Sequence, residues 1–176
     1  LGSVSREQMK DVFIEQIEGM KSGGVDGILV ETMFALDEAQ VAVEAAKSLK
    51  VFVMATMTFT LGPRGFFTMT GVTPTQATKE LEATGADVVG ANCGNGIDNM
   101  ILIAEMIRKS TTLPMLIHSN AGIPTLEKKD IKYPETPEYM KSRFCKLQEV
   151  GVDIIGGCCG TTPRHIQEMS KLIKNQ

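Results

Sequence analysis

A chain of 176 residues, 43% hydrophobic and 22% charged, has the composition of an ordinary globular domain and the length to bury one sizeable core. Its 18 Lys and Arg against 21 Asp and Glu give a net charge of −3, without the basic footprint of nucleic-acid binding, so no nucleic-acid partner is expected. The uncharged run at residues 51–63 falls short of the roughly 20 apolar residues of a membrane span, and Arg6, Glu7, Lys10 and Asp11 break any apolar signal core.

Taken in chain order, the first helix is announced at Ser5. Ser5-Arg6-Glu7-Gln8 reads as a capping box, followed by Met9, Val12, Phe13, Ile17 and Met20 on one face. The apolar run at 27–30 is the first strand, and a helix from about Asp37 turns Val41 and Ala45 inward. A second strand covers 51–56. Thr73-Pro74 opens the next helix, with Thr as cap and Pro at the first helical position. A strand at 88–91, a helix at 98–109 and a strand at 115–117 follow. Residues 122–135 are the least regular stretch and read as a long loop. Thr136-Pro137 and Thr162-Pro163 open the last two helices, on either side of a strand at 153–156.

Three echoes punctuate this order: Gly24-Val25-Asp26, Gly85-Ala86-Asp87 and Gly151-Val152-Asp153. In each, glycine stops a helix in the left-handed conformation and a short turn leads into a strand. Alternating strand and helix with turns this short predicts βα units around a parallel sheet, as in doubly wound and barrel folds alike.

Polar and reactive residues gather where strands end: Glu31-Thr32, Thr56 and Thr58, Asn92-Cys93-Gly94, Ser119-Asn120, and Gly157-Cys158-Cys159-Gly160. The carboxyl ends of parallel strands share one rim, which carries the active site in such folds. Convergence there points to an enzyme. Four cysteines, two of them adjacent, are too few for a disulfide scaffold and suit a reducing, cytoplasmic compartment. Cys93, Cys158 and Cys159 are candidate metal ligands, with a redox-active vicinal pair as the competing reading. Cys145, within a helical pattern, reads as a small buried hydrophobe. The glycine-rich residues 90–96 do not fit the dinucleotide spacing G-x-G-x-x-G, although a phosphate could sit at such a strand end. His118 reads as a core histidine on a strand, and His165 lies in a first helical turn; neither is assigned a catalytic role. Glu31 is either a surface carboxylate or a substrate ligand.

Gly-Gly-Cys-Cys-Gly-Thr-Thr-Pro, from Gly156 to Pro163, together with Gly90-Ala91-Asn92-Cys93, resembles the homocysteine S-methyltransferase family. Glu31-Thr32, Met57-Thr58-Phe59, Thr70-Gly71-Val72-Thr73-Pro74 and Asn120-Ala121-Gly122 match in family order, and the likeness covers essentially the whole chain. Within the family, Cys-Cys-Gly-Thr-Thr-Pro is most similar to the homocysteine-binding domain of cobalamin-dependent methionine synthases. The resemblance implies a (β/α)8 barrel, of which residues 1–176 would be roughly the last five βα units in one domain. The family's Asp-Gly and Thr-Asn strands are not found in this sequence. It further implies a Zn2+ cofactor held by Cys93, Cys158 and Cys159, with homocysteine as the methyl acceptor. Glu31 would receive the substrate amino group, and Asn92 and Asn120 would be further substrate-binding residues. Methylcobalamin or methyltetrahydrofolate, carried by cobalamin- or folate-binding modules, would be the methyl donor.

Overall fold

Six helices alternate with the strands of a parallel sheet in the computed structural model, which describes residues 4–94, 96–127 and 129–173. Asn95, in the glycine-rich stretch, lies outside the described residues. The elements in chain order are α1 (Arg6–Ser22), β1 (Gly27–Met33), α2 (Leu36–Ser48), β2 (Phe52–Met57), β3 (Thr60–Gly62), β4 (Gly65–Phe67), α3 (Pro74–Thr84) and β5 (Val88–Cys93). They continue with α4 (Ile97–Arg108), β6 (Met115–Ser119), β7 (Thr125–Glu127), β8 (Asp130–Lys132), α5 (Pro137–Val150), β9 (Ile154–Gly157) and α6 (Pro163–Ile173).

The main sheet runs β1-β2-β5-β6-β9, every pair parallel. Each strand lies beside the one before it in sequence, and consecutive helices pack against each other from α1 to α6. A doubly wound sheet reverses its strand order at a switch point. This sheet does not reverse, so its winding is that of a barrel wall. The helix-covered face forms the core, where β5 is buried along nearly its whole length and α2 contributes Ala39, Ala42, Val43, Ala45 and Ala46. Such small side chains let the helix lie close to the strands.

Caps fall where the sequence places them. Ser5 and Gln8 form the reciprocal capping box, and Thr73 and Thr136 cap α3 and α5. Helix α1 departs from expectation, because of its proposed inner face only Ile17 is buried, while Val12 is 63% exposed. Cys145 is also corrected: it is exposed on α5, one position past the buried Phe144. The expected loop at 122–135 contains the hairpin β7–β8, and a second hairpin, β3–β4, turns at Gly65 with φ of 114°. Three-residue strands carry too little periodicity to be read from sequence.

The Gly-x-Asp echo has a structural purpose. Asp87 donates its amide to the Val53 carbonyl at 2.9 Å and accepts the Val53 amide on its carboxylate at 2.8 Å. Asp153 repeats the clamp on Met115, at 3.0 and 2.8 Å. Each aspartate thereby fixes the start of the preceding strand. Partial burial opposes ionisation of Asp87, but the Val53 amide and the Lys47 ammonium outweigh it and hold the carboxyl below its usual value.

At the sheet centre, Gly90 pairs with Leu116, and a Cβ on Gly90 would stand 1.8 Å from the Leu116 carbonyl oxygen. Backbone cannot yield as a flexible side chain does. Gly90→Ala is therefore expected to cost about 3 kcal/mol or more, at the upper end of overpacking effects. Urea denaturation would read this as a lowered midpoint, or as failure to fold.

Candidate metal and substrate site

Strand extension brings the reactive residues into the sheet rather than beyond it. The ladder continues to Met33↔Met57 and Cys93↔Ser119, so Glu31, Thr32, Asn92 and Cys93 all belong to strands. Cys158 and Cys159 follow β9 directly. The three sulfur atoms lie within 4.8 Å of one another, with Cys93 Sγ 3.9 Å from Cys159 Sγ. Cys93 and Cys158 are half-buried and Cys159 is exposed, so the cluster is reachable from solvent. Among the described residues this is the group of His, Cys, Asp or Glu side chains placed to hold a metal ion.

Backbone hydrogen bonds fix the double-cysteine turn. The Cys158 amide donates to the Ser119 carbonyl at 2.8 Å, and the Ala121 amide donates to the Cys159 carbonyl at 2.9 Å. Thr161 closes the turn, its hydroxyl donating to the Cys158 carbonyl at 2.7 Å. Neighbouring glycines leave room for close packing: a Cβ on Gly160, whose φ is 79°, would fall 2.1 Å from the Tyr133 ring.

Asn120 is the bracket between the two cysteine loops. Its Nδ2 donates to the Gly94 carbonyl at 2.9 Å, and its Oδ1 accepts from the Cys159 amide at 3.0 Å. Asn92 lies deeper, with no exposed surface. Its Oδ1 accepts from the Thr32 amide at 2.9 Å and the Thr56 hydroxyl at 2.8 Å, while its Nδ2 donates to the Thr32 hydroxyl at 2.6 Å. The same Nδ2 faces Glu31 Oε1 at 3.5 Å and Cys158 Sγ at 3.8 Å. Two non-glycine residues here have left-handed backbones, Thr32 at φ 60° and Cys93 at φ 64°. Such conformations cost of order 1–3 kcal/mol each and persist only where surroundings hold them. The amide of Asn92 holds Thr32 from both sides.

Partial desolvation first, then Cys158 and Cys93, push the Cys159 thiol up to about 11. A cation at the centre of the cluster would favour the thiolate forms.

Sequence reasoning missed two partners. Glu31 is paired with His118, Nδ1 to Oε1 at 3.7 Å, across strands far apart in the chain. Glu135 supplies the start of α4, where Gly96 has no capping side chain: its carboxylate accepts the Ile97 amide at 3.0 Å. Burial raises the Glu135 carboxyl, the Ile97 amide draws it back, and Asp98 raises it further. His165 is buried, and both of its ring nitrogens are engaged. Its Nδ1 accepts the Thr162 amide at 3.0 Å, which leaves Nε2 to donate to the Glu135 carbonyl at 3.0 Å. Contacts over such separations leave no local mark in sequence.

The family pattern described as "Homocysteine S-methyltransferase" matches residues 1–173. The chain is 31% identical to the methionine synthase of Mycobacterium leprae over 182 residues, covering 98% of the chain and 15% of that protein. It is equally identical to the methionine synthase of Mycobacterium tuberculosis over 188 residues, with 99% and 15% coverage. The chain thus spans about 15% of the length of these relatives. The metallated form of the homocysteine methyltransferase MmuM from Escherichia coli superposes with a TM-score of 0.77 at 20% identity, over 97% of this chain and 53% of that one. MmuM therefore shares the fold.

Asn92→Ala would leave the Thr32 amide and the Thr56 hydroxyl without their acceptor. A loss of about 2–4 kcal/mol is expected, since each stranded buried polar group costs about 1–3 kcal/mol. Chemical denaturation checks the loss. Alkylation of the three clustered thiols should also accelerate, while that of the exposed Cys145 should not change.

Proposed function

The chain belongs to the homocysteine S-methyltransferase family, and on that premise we propose that its rim binds homocysteine at a zinc centre and presents the substrate sulfur for methylation to methionine. One observation carries this reading: three thiols from two separate strand ends meet within 4.8 Å on the rim. The donor set fits zinc. Tetrahedral thiolate ligands at about 2.3 Å from the ion stand about 3.8 Å apart, close to the 3.9 Å between Cys93 and Cys159. Three protein ligands with an open fourth position is also how catalytic zinc is held.

Cys93, Cys158 and Cys159 would hold the ion, with Cys145 taking no part. Bound there, zinc supplies Lewis acidity that keeps a coordinated thiol deprotonated at neutral pH. The chain's own residues do the remainder. Glu31 accepts the substrate ammonium from the face of β1 opposite the helices. Asn92 lies behind Glu31 and acts on the substrate side through it, its Nδ2 facing both the carboxylate and Cys158. Asn120 fixes the spacing of the two cysteine loops on which the sulfur position depends. In the transfer itself a sulfur–carbon bond forms as the bond from methyl to its donor breaks, and the donor leaves with the electron pair. Methylcobalamin or methyltetrahydrofolate, presented by a cobalamin- or folate-binding module, is the proposed donor. Among the described residues, no helix is long and apolar enough to cross a membrane.

Co2+ in place of Zn2+ should give sulfur-to-metal charge-transfer absorption at one ion per chain. Each of Cys93→Ser, Cys158→Ser and Cys159→Ser should weaken metal binding by tenfold or more, and Cys145→Ser should not. Added homocysteine should intensify the band and release a proton, because the ligand enters as thiolate. Full metal affinity in Cys158→Ser, or a band indifferent to homocysteine, would refute the proposal.

A further inference from the structure

The five strands of the main sheet carry two ionisable side chains besides cysteine, Glu31 on β1 and His118 on β6. Both lie on the face opposite the helices, and the chain brings them together, Nδ1 to Oε1 at 3.7 Å. That separation is beyond hydrogen-bond range, so the pair is an open one. Each side chain retains exposed surface, 44% for Glu31 and 21% for His118.

Packing fixes where the imidazole lies. His118 pairs in register with Asn92 on one side and Gly156 on the other. A Cβ on Gly156 would meet His118 Cδ2 at 2.5 Å and Nε2 at 2.7 Å, so the ring rests over the glycine. Nδ1 is turned to Glu31, while Nε2 stands over Gly156, two residues before Cys158. The acid–base pair is therefore one layer beneath the thiols, on the same face of the sheet.

An α-amino acid presents an ammonium and a carboxylate on neighbouring atoms. A carboxylate and an imidazole held side by side are the complement of that head group, whose two charges can replace the weak contact between them. We propose that His118 is a substrate-binding residue that donates a hydrogen bond to the carboxylate of the amino-acid thiol, while Glu31 takes its ammonium. The assignment rests on the homocysteine reading of the thiol site. It adds a specificity element to that reading, selecting thiols that carry a complete α-amino-acid head.

Three thiols separate the two charges: homocysteine, 3-aminopropane-1-thiol without the carboxylate, and 4-mercaptobutanoate without the amine. Each is titrated into the Co2+-loaded chain, with the charge-transfer band as readout. His118→Leu should weaken homocysteine and 4-mercaptobutanoate about tenfold, the loss of one hydrogen bond to a charged group, and spare 3-aminopropane-1-thiol. Glu31→Gln should show the converse, weakening homocysteine and 3-aminopropane-1-thiol only. His118→Gln, which keeps an N–H donor, should recover part of the carboxylate preference. Equal weakening of all three thiols in His118→Leu would mark a structural histidine and overturn the inference, as would unchanged homocysteine affinity. A wild-type chain that loads Co2+ but gives no thiol response would overturn the homocysteine reading itself, and this inference with it.

Discussion

Everything at the rim depends on the side chain of Asn92. A wholly buried amide must find partners for its oxygen and its nitrogen, and here those partners come from β1 and β2, with Cys158 beyond β9 within reach. The amide holds Thr32 in a backbone conformation that a β-branched residue rarely adopts, at the point where the β1–β2 register shifts. Immediately after Asn92, Cys93 turns into the same left-handed region. Strain at the start of the site and placement of its first thiol are thus two effects of one hydrogen-bonded centre.

The second constraint is electrostatic. Partial desolvation, and after it the neighbouring Cys158 and Cys93, push the Cys159 thiol up. A protein does not gather such groups without cost, yet the surrounding backbone is committed to gathering them: Ser119, Asn120 and Ala121 all bond to the double-cysteine turn. Preformed ligand loops lower the ordering cost of taking up a cation. Glu31 and His118 face one another beneath them, with the amide of Asn92 beside the Glu31 carboxylate. The proposed site thus divides into a thiol cluster for the metal and, beneath it, the Glu31–His118 pair for the head group of the substrate.

Much of this was legible in the residues. Capping signals located α1, α3 and α5, because a cap is a local bond between residues three apart. Strand-end placement of the thiols was legible because parallel strands share a rim. Barrel winding was legible only through the family resemblance, since spacing alone admits two topologies and the unreversed strand order decides between them. Helix α4 gave no start signal, as its first amide is satisfied by Glu135, 38 residues away. Asn92 and Asn120 were singled out, but their engagement with backbone and neighbouring side chains could not be read from order in the chain. The pairing of His118 with Glu31 escaped for the same reason: it joins β1 and β6, which have β2 and β5 between them in the sheet.

The aspartate clamps before β5 and β9 act at the ends of the strands opposite the thiols. Register is thus written at one end of each βα unit and reactivity at the other. Such a division makes the architecture tolerant of change in its chemistry. Loops at the reactive rim can lengthen, fold into hairpins or exchange ligands without sliding β2 or β6, because the aspartates keep those two strands in place from below. Conversely, a unit copied with its own Gly-x-Asp turn brings the means to align itself on its neighbour. A fold so organised can diversify its substrates by rim substitution alone, and can grow or be rearranged in whole units.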